Sequence, residues 1–319
     1  MVAYLKLVRV QNLLIVAITQ YIMRFAIIEP ILKIYSFSLQ MREVNFAILV
    51  LSTMCLTAAG YVINDYFDTK TDSLNRPKEV IVGQSISRRM AMALHIILNI
   101  IGVLGGFYVS YQVGHIKFGF IFILVTGILW YYSTNYKRQF LIGNLIVSFL
   151  TGLVPLLVIL YEMPLLNIAY ADVLIQNGFT LNPIFYWILG FSFFAFVTTL
   201  IREIIKDTED FDGDKEYGRH TLPIVLGIKW TKIIVVLLSL IVMLAMGIIY
   251  QLYLKGSKLT FWYLLLALEV PFLFLVYKII AAKEKKDYHL ISLLLKFIML
   301  FGLLYALIAA YIFLYTFSS

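Results

Sequence analysis

The chain has one cysteine, Cys55, so a disulfide framework and a cysteine-based metal centre are both excluded. Charge is scarce too: Asp, Glu, Lys and Arg make up 14% of 319 residues, against 62% hydrophobic ones. With a mean hydropathy of +0.91, that balance excludes an ordinary soluble domain. His95, His115 and His220 have no His or Cys partner at ligand spacing, so no zinc site is expected. Low-complexity stretches are missing. No small-x-small cleavage site follows Lys6 and Arg9, and the first apolar run is therefore read as a membrane helix rather than a removed signal peptide. Segment 162–182 lacks Lys and Arg and reads as a surface loop on the outer side.

What fills the chain is a series of apolar runs, each of the roughly 20 residues needed to span a bilayer. They lie near 13–34, 44–64, 89–110, 116–133, 140–161, 183–205, 230–252, 260–281 and 290–316. The expected fold is an all-α integral membrane protein: one domain over 1–319, a bundle of about nine transmembrane helices enclosing a central cavity. Placing the N-terminus inside puts nineteen Lys and Arg residues in inner segments and six in outer ones, which fixes the orientation. The net charge of +8 then follows from topology and from attraction to membrane lipids, and calls for no nucleic-acid partner.

Against this background two acidic stretches share one spacing. Asn64-Asp65-x-x-Asp68-x-x-x-Asp72 is echoed by Asp207-x-x-Asp210-x-x-x-Asp214, 142 residues later at each Asp. On a helix these offsets point within roughly 60° of one direction. Three stacked like charges repel unless a cation sits among them. The pattern reads as two Mg²⁺ sites holding a diphosphate at the cytoplasmic membrane surface, with metal ligands Asp65, Asp68, Asp72, Asp207, Asp210 and Asp214 and with Asn64 as a neutral partner. Glu209 and Asp212 would be turned roughly 140–160° away on a continued helix. The equal spacing points to two similar four-helix halves and a ninth helix. The inner loops carrying the motifs are expected at 65–88 and 206–229.

A diphosphate leaving an allylic carbon gathers negative charge, which Mg²⁺ stabilises. Asp65, Asp68, Asp207 and Asp210 are therefore the candidate catalytic residues. Arg76, Lys78, Arg202, Lys206 and Arg219 lie within a few residues of the motifs and suit phosphate contact. Tyr132, Lys137 and Arg138 occupy another inner segment, and Asn12 is a polar group inside the first span, expected to face a pocket.

Asn64 through Pro77 resembles the first signature of the UbiA superfamily of intramembrane prenyltransferases, Asp207 through Asp214 resembles the second, and Tyr132 through Arg138 resembles the family's tyrosine–lysine loop. Arg202-Glu203-x-x-Lys206-Asp207, Thr221-Leu222-Pro223 and Lys137-Arg138 followed by Gly143-Asn144 are similar to the geranylgeranylglyceryl-phosphate geranylgeranyltransferase branch. Lys78-Glu79 stands where the family often has a second Arg-Pro. The resemblance implies Mg²⁺-dependent transfer of a polyprenyl group, geranylgeranyl in that branch, from its diphosphate donor to a lipophilic acceptor. A glycerol-phosphate ether is the first choice of acceptor. An aromatic acid of quinone biosynthesis is the second. A transporter is the rival of another class, since Glu29, Glu203 and Glu269 lie in or near spans.

The basic-residue bias generates a topology prediction. In a Cys55→Ser background, Ser73→Cys and Tyr217→Cys should react with impermeant reagent only after the cytoplasmic face is opened, and Asn177→Cys should react in intact cells. The reverse pattern would overturn the orientation.

Overall fold

The structure is a computed structural model describing residues 2–75, 80–178 and 180–316; the side chains of 70–72, 74, 75 and 316 lie outside that description. Nine helices among the described residues are long and apolar enough to cross a membrane. We label them α1 (Val10–Ile34), α2 (Glu43–Asn75, with Glu43–Thr69 as its spanning part), α3 (Arg88–Gln112), α4 (Ile116–Thr134), α5 (Ile142–Ala169), α6 (Asn182–Glu209), α7 (Leu222–Leu254), α8 (Lys258–Ala281) and α9 (Lys285–Tyr315). Short helices cover Val2–Leu7, Ala171–Asn177 and Phe211–Glu216.

The chain divides into two compact units. One comprises residues 1–24, 38–137 and 154–185, and the other 25–37, 138–153 and 186–319. Helices α1 and α5 are each divided between the units. The expected loop 65–88 shrinks, since α2 stays helical through Asn75 and α3 starts at Arg88. The expected loop 206–229 likewise contains the end of α6, a short helix and the start of α7.

Lipid tails are as apolar as leucine, so helices inside a bilayer associate through close packing and polar contacts. In the first unit, small residues on α3 allow that approach. A Cβ on Gly102 would meet Leu56 of α2 at 2.7 Å, and one on Gly106 would meet Phe122 of α4 at 2.4 Å. The second unit packs Val197, Ile201 and Ile204 of α6 with Val235 of α7, Phe272 and Leu275 of α8 and Ile291 and Leu295 of α9. In α7, Gly227 (φ 80°, ψ 158°) kinks the helix one turn after its start, in a conformation that a side chain would strain.

Arg24 and Glu162 correct the expected outer loop. Segment 162–182 is largely helical, and Glu162 sits on α5 with its side chain 0% exposed. Arg24 lies in a π-helical turn of α1, Met23–Ile28. Its Nη1 donates to Glu162 at 2.7 Å, and its Nη2 donates to the Met41 carbonyl and to Glu43 at 2.9 Å. Glu162 in turn accepts from the backbone N–H groups of Gln40 and Met41. The pair thus ties α1, α5 and the 38–42 connection together, with both charges satisfied on several sides.

Breaking such a buried pair from one side costs about 3–5 kcal/mol. Glu162→Ala should therefore lower the unfolding midpoint in detergent sharply. Glu43→Ala, whose side chain is 64% exposed, should cost about 1 kcal/mol or less. Equal midpoints for the two variants would contradict the assignment.

Candidate functional site

The first acidic stretch belongs to the first unit. No Gly or Pro interrupts the sequence from Tyr61 to Arg76, so α2 carries Asn64, Asp65 and Asp68 on unbroken helix, as the spacing requires. Asp65 Oδ1 accepts from Arg9 Nη2 at 2.9 Å. The Arg9 guanidinium lies 4.7 Å over the ring of Tyr61, one helical turn before Asp65. Arg9 itself has left-handed backbone (φ 51°, ψ 57°) between the Val2–Leu7 helix and α1, a conformation costing about 1–2 kcal/mol outside glycine. The ion pair and the ring contact hold it there.

Lys137 closes the same cluster. It is buried, its Nζ donates to Asn64 Oδ1 at 3.2 Å, and it pairs with Asp68 Oδ1 at 2.9 Å. The 3-10 turn Tyr136–Arg138 after α4 delivers it, and Tyr132 stands half-buried in the last turn of α4. Asn12 donates to the Tyr61 hydroxyl at 3.2 Å, which satisfies this polar group of the first span on the helix that bears the motif. Asp72 continues the helix, but its side chain and all of Arg76 and Lys78 lie outside the described residues.

The second stretch belongs to the second unit, and here the expectation of one continuous helix fails. Helix α6 ends at Glu209. Asp210 (φ −96°, ψ 13°) leaves helical geometry and precedes the short helix Phe211–Glu216. The break falls at Asp210, whose side chain does not cap the short helix. Asp207 Oδ2 accepts from Asn144 Nδ2 of α5 at 2.8 Å. Asp214, 1% exposed, pairs with Arg219 at 3.1 Å. The turn through Gly218 (φ 63°) brings the Arg219 N–H onto the Asp214 carbonyl.

With the helix broken, Glu209 and Asp212 are no longer placed by the angles of a continued helix. Glu209 meets His289 of α9 at 3.1 Å, and Asp212 is exposed. Asp210 lies 3.9 Å from Lys285, also on α9. Arg202 and Lys206, expected beside the acidic stretch, both bond to Glu203: Arg202 Nη1 at 3.0 Å and Lys206 Nζ at 3.3 Å to Oε2.

Sequence reasoning did not assign site roles to Arg9, Asn144, Lys285 and His289. Asn144, a polar residue two positions into an apolar helix, carried a readable signal. The other three are basic residues at helix ends, where topology alone accounts for them.

Among the described residues no three Asp, Glu, His or Cys side chains gather closely enough to cage a metal. Mg²⁺ asks for less, since one or two carboxylates suffice when phosphate oxygens and water complete its shell. Asp65 with Asp68, and Asp207 with Asp214, are donor sets of that kind, each already interleaved with cations.

Residues 34–300 match the UbiA prenyltransferase family. The chain belongs to that family. A digeranylgeranylglyceryl phosphate synthase of Methanosphaera stadtmanae is 31% identical over 255 residues, which is 79% of this chain and 84% of that protein. A solved structure of a digeranylgeranylglyceryl phosphate synthase in membranes shares the fold with a TM-score of 0.63 at 24% identity, covering 97% of each chain. A UbiA homologue from Archaeoglobus fulgidus, bound to GPP and Mg²⁺, aligns with a TM-score of 0.57 at 16% identity over 96% of this chain and 99% of that one. The nine-helix UbiA-type fold and the membrane setting inferred from composition are thereby established, and the protein is a prenyltransferase-type enzyme.

Asn144 provides the test of the second cluster. A hydrogen bond to a charged group is worth about 1.5–3 kcal/mol. Asn144→Leu should therefore lower kcat/KM for prenyl transfer by about 10- to 150-fold in folded protein. An unchanged value would mean that Asp207 needs no such anchor.

Proposed function

We propose that this protein transfers a geranylgeranyl group from its diphosphate to a glycerol-phosphate ether lipid, with Mg²⁺ as cofactor and with the acidic motifs facing the cytoplasm. The observation that carries the reading is the interleaving of carboxylates with cations from distant segments: Arg9 on Asp65, Lys137 on Asp68 and Asn64, and Arg219 on Asp214. A site for a metal-bound diphosphate needs that composition, acid for the ions and base for the phosphate oxygens. The family match and the relative named a digeranylgeranylglyceryl phosphate synthase support the donor and the acceptor.

Bound Mg²⁺ neutralises the diphosphate oxygens and stabilises the charge that grows on the leaving group. Asp65, Asp68 and Asp72 of the first motif would hold such an ion, and Asp207, Asp210 and Asp214 of the second would hold another. Lys137 and Asn64, with Arg76, Tyr132 and Asn12, would serve the donor's phosphates beside the first motif, and Arg219 would do so beside the second. The prenyl tail stays among apolar side chains, where water is excluded and the allylic cation survives. The C–O bond of the donor breaks with its electron pair on the diphosphate. The acceptor hydroxyl oxygen then bonds to the allylic carbon and gives up its proton. Arg202 and Lys206, one turn apart on α6, receive the phosphate of the acceptor.

Activity should require Mg²⁺. Asp65→Ala, Asp68→Ala, Asp207→Ala and Asp210→Ala should each lower turnover at least about 100-fold, the ~3–4 kcal/mol typical of a key electrostatic contact. Radiolabelled geranylgeranyl diphosphate with a panel of acceptors reads the outcome. Ready prenylation of 4-hydroxybenzoate with neglect of glycerol-phosphate ethers would overturn the acceptor. Near-normal turnover of the Asp68 and Asp210 variants would overturn the metal assignment.

A further inference from the structure

Glu203, read from the sequence as an acid in or near a span, has a defined place in the structure. It stands on the penultimate turn of α6 with its side chain 14% exposed. One of its oxygens accepts from both Arg202 Nη1 at 3.0 Å and Lys206 Nζ at 3.4 Å, and the other accepts from Lys206 at 3.3 Å. Arg202 and Lys206, at i and i+4, would repel each other on the helix surface; the carboxylate between them removes that repulsion. The two cations keep donors to spare. Lys206 has three protons and Arg202 five, and the Arg202 Nε is buried without a hydrogen-bond partner among the described residues.

We propose that Glu203 tunes the anion specificity of the Arg202–Lys206 pair, holding the triad at one net positive charge so that a diphosphate outcompetes a phosphate monoester there far less than it would at two unopposed cations. The inference rests on the reading of Arg202 and Lys206 as the receivers of the acceptor's phosphate. The physical reason is that attraction scales with the charge of the ligand. Two unopposed cations would favour the anion of higher charge, so free pyrophosphate, released in every turnover, would compete with the acceptor. One carboxylate lowers the potential for all anions, and lowers it most for the most highly charged. Because Glu203 bonds to both cations, it also fixes their heads relative to each other, which suits the small tetrahedral face of a monoester.

The substitution Glu203→Gln removes the charge and keeps the shape and an acceptor oxygen. Binding is measured by titration calorimetry on the full-length protein in EDTA, where no metal bridges pyrophosphate to the Asp motifs, with inorganic pyrophosphate and sn-glycerol 1-phosphate as probes. The variant should bind pyrophosphate about ten-fold more tightly than the wild type and glycerol phosphate about three-fold more tightly, and added salt should shrink both gains. With Mg²⁺ restored, pyrophosphate should become a stronger inhibitor competitive with the acceptor. Glu203→Asp, which keeps the charge, should retain wild-type selectivity. Arg202→Gln shifts the charge the other way, so it should weaken pyrophosphate binding in EDTA and raise the acceptor KM about ten-fold or more. Unaltered selectivity in Glu203→Gln, with Arg202→Gln still raising the acceptor KM, overturns the role of Glu203 and leaves the acceptor placement standing. An acceptor KM unmoved by Arg202→Gln overturns the placement, and this inference with it.

Discussion

A carboxylate at the end of an apolar helix must meet a positive charge or a strong hydrogen-bond donor, because a membrane boundary offers little water to solvate it. Much of what positions the chemistry here answers that demand. Asp65 draws in Arg9 from 56 residues away, and Asn64, beside it, shares Lys137 with Asp68 across a separation of 73. Asp207 takes its donor from the start of α5, and Asp214 folds the chain back on itself to reach Arg219. The acids therefore do more than await a metal. They organise the N-terminal segment, the connection after α4 and the turn before α7.

Packing and polar anchoring divide the remaining work. Inside lipid no hydrophobic force favours one helix pairing over another, so register comes from shape and from the few buried polar groups. On α3 the glycines facing Leu56 and Phe122 set how near the helices come. Ser110 bonds to the buried Tyr161 at 2.7 Å, and in the second unit Thr260 bonds to Tyr305 at 3.2 Å. Each contact joins two helices and leaves little choice of alignment.

The legibility of this molecule followed the reach of each kind of signal. Apolar run length is local, and all nine spans were readable from it. The first motif was readable in detail because an uninterrupted stretch stays helical. The second was not, since Asp210 can either extend α6 or begin a new helix, and spacing cannot choose between them. Lys137 was found because an inner loop has few places to aim a lysine. Arg9 was missed as a partner of Asp65 because its reach depends on a left-handed residue that composition does not announce. Glu162 was placed in a loop because a charge in an apolar segment reads as an ending, whereas Arg24 makes it an interior.

The Arg24–Glu162 pair carries a consequence for how this chain evolves. An apolar exchange of either residue alone is costly, for the survivor would remain buried without its buried counter-charge. Both together can give way to well-packed apolar side chains, because burying an ion pair gains little over burying hydrocarbon. The two positions are therefore bound to change in concert, and a family member lacking one of them should be expected to lack the other. What looks like a structural clasp is also a coupling between the first and fifth helices, under which each half-step away costs more than the double exchange.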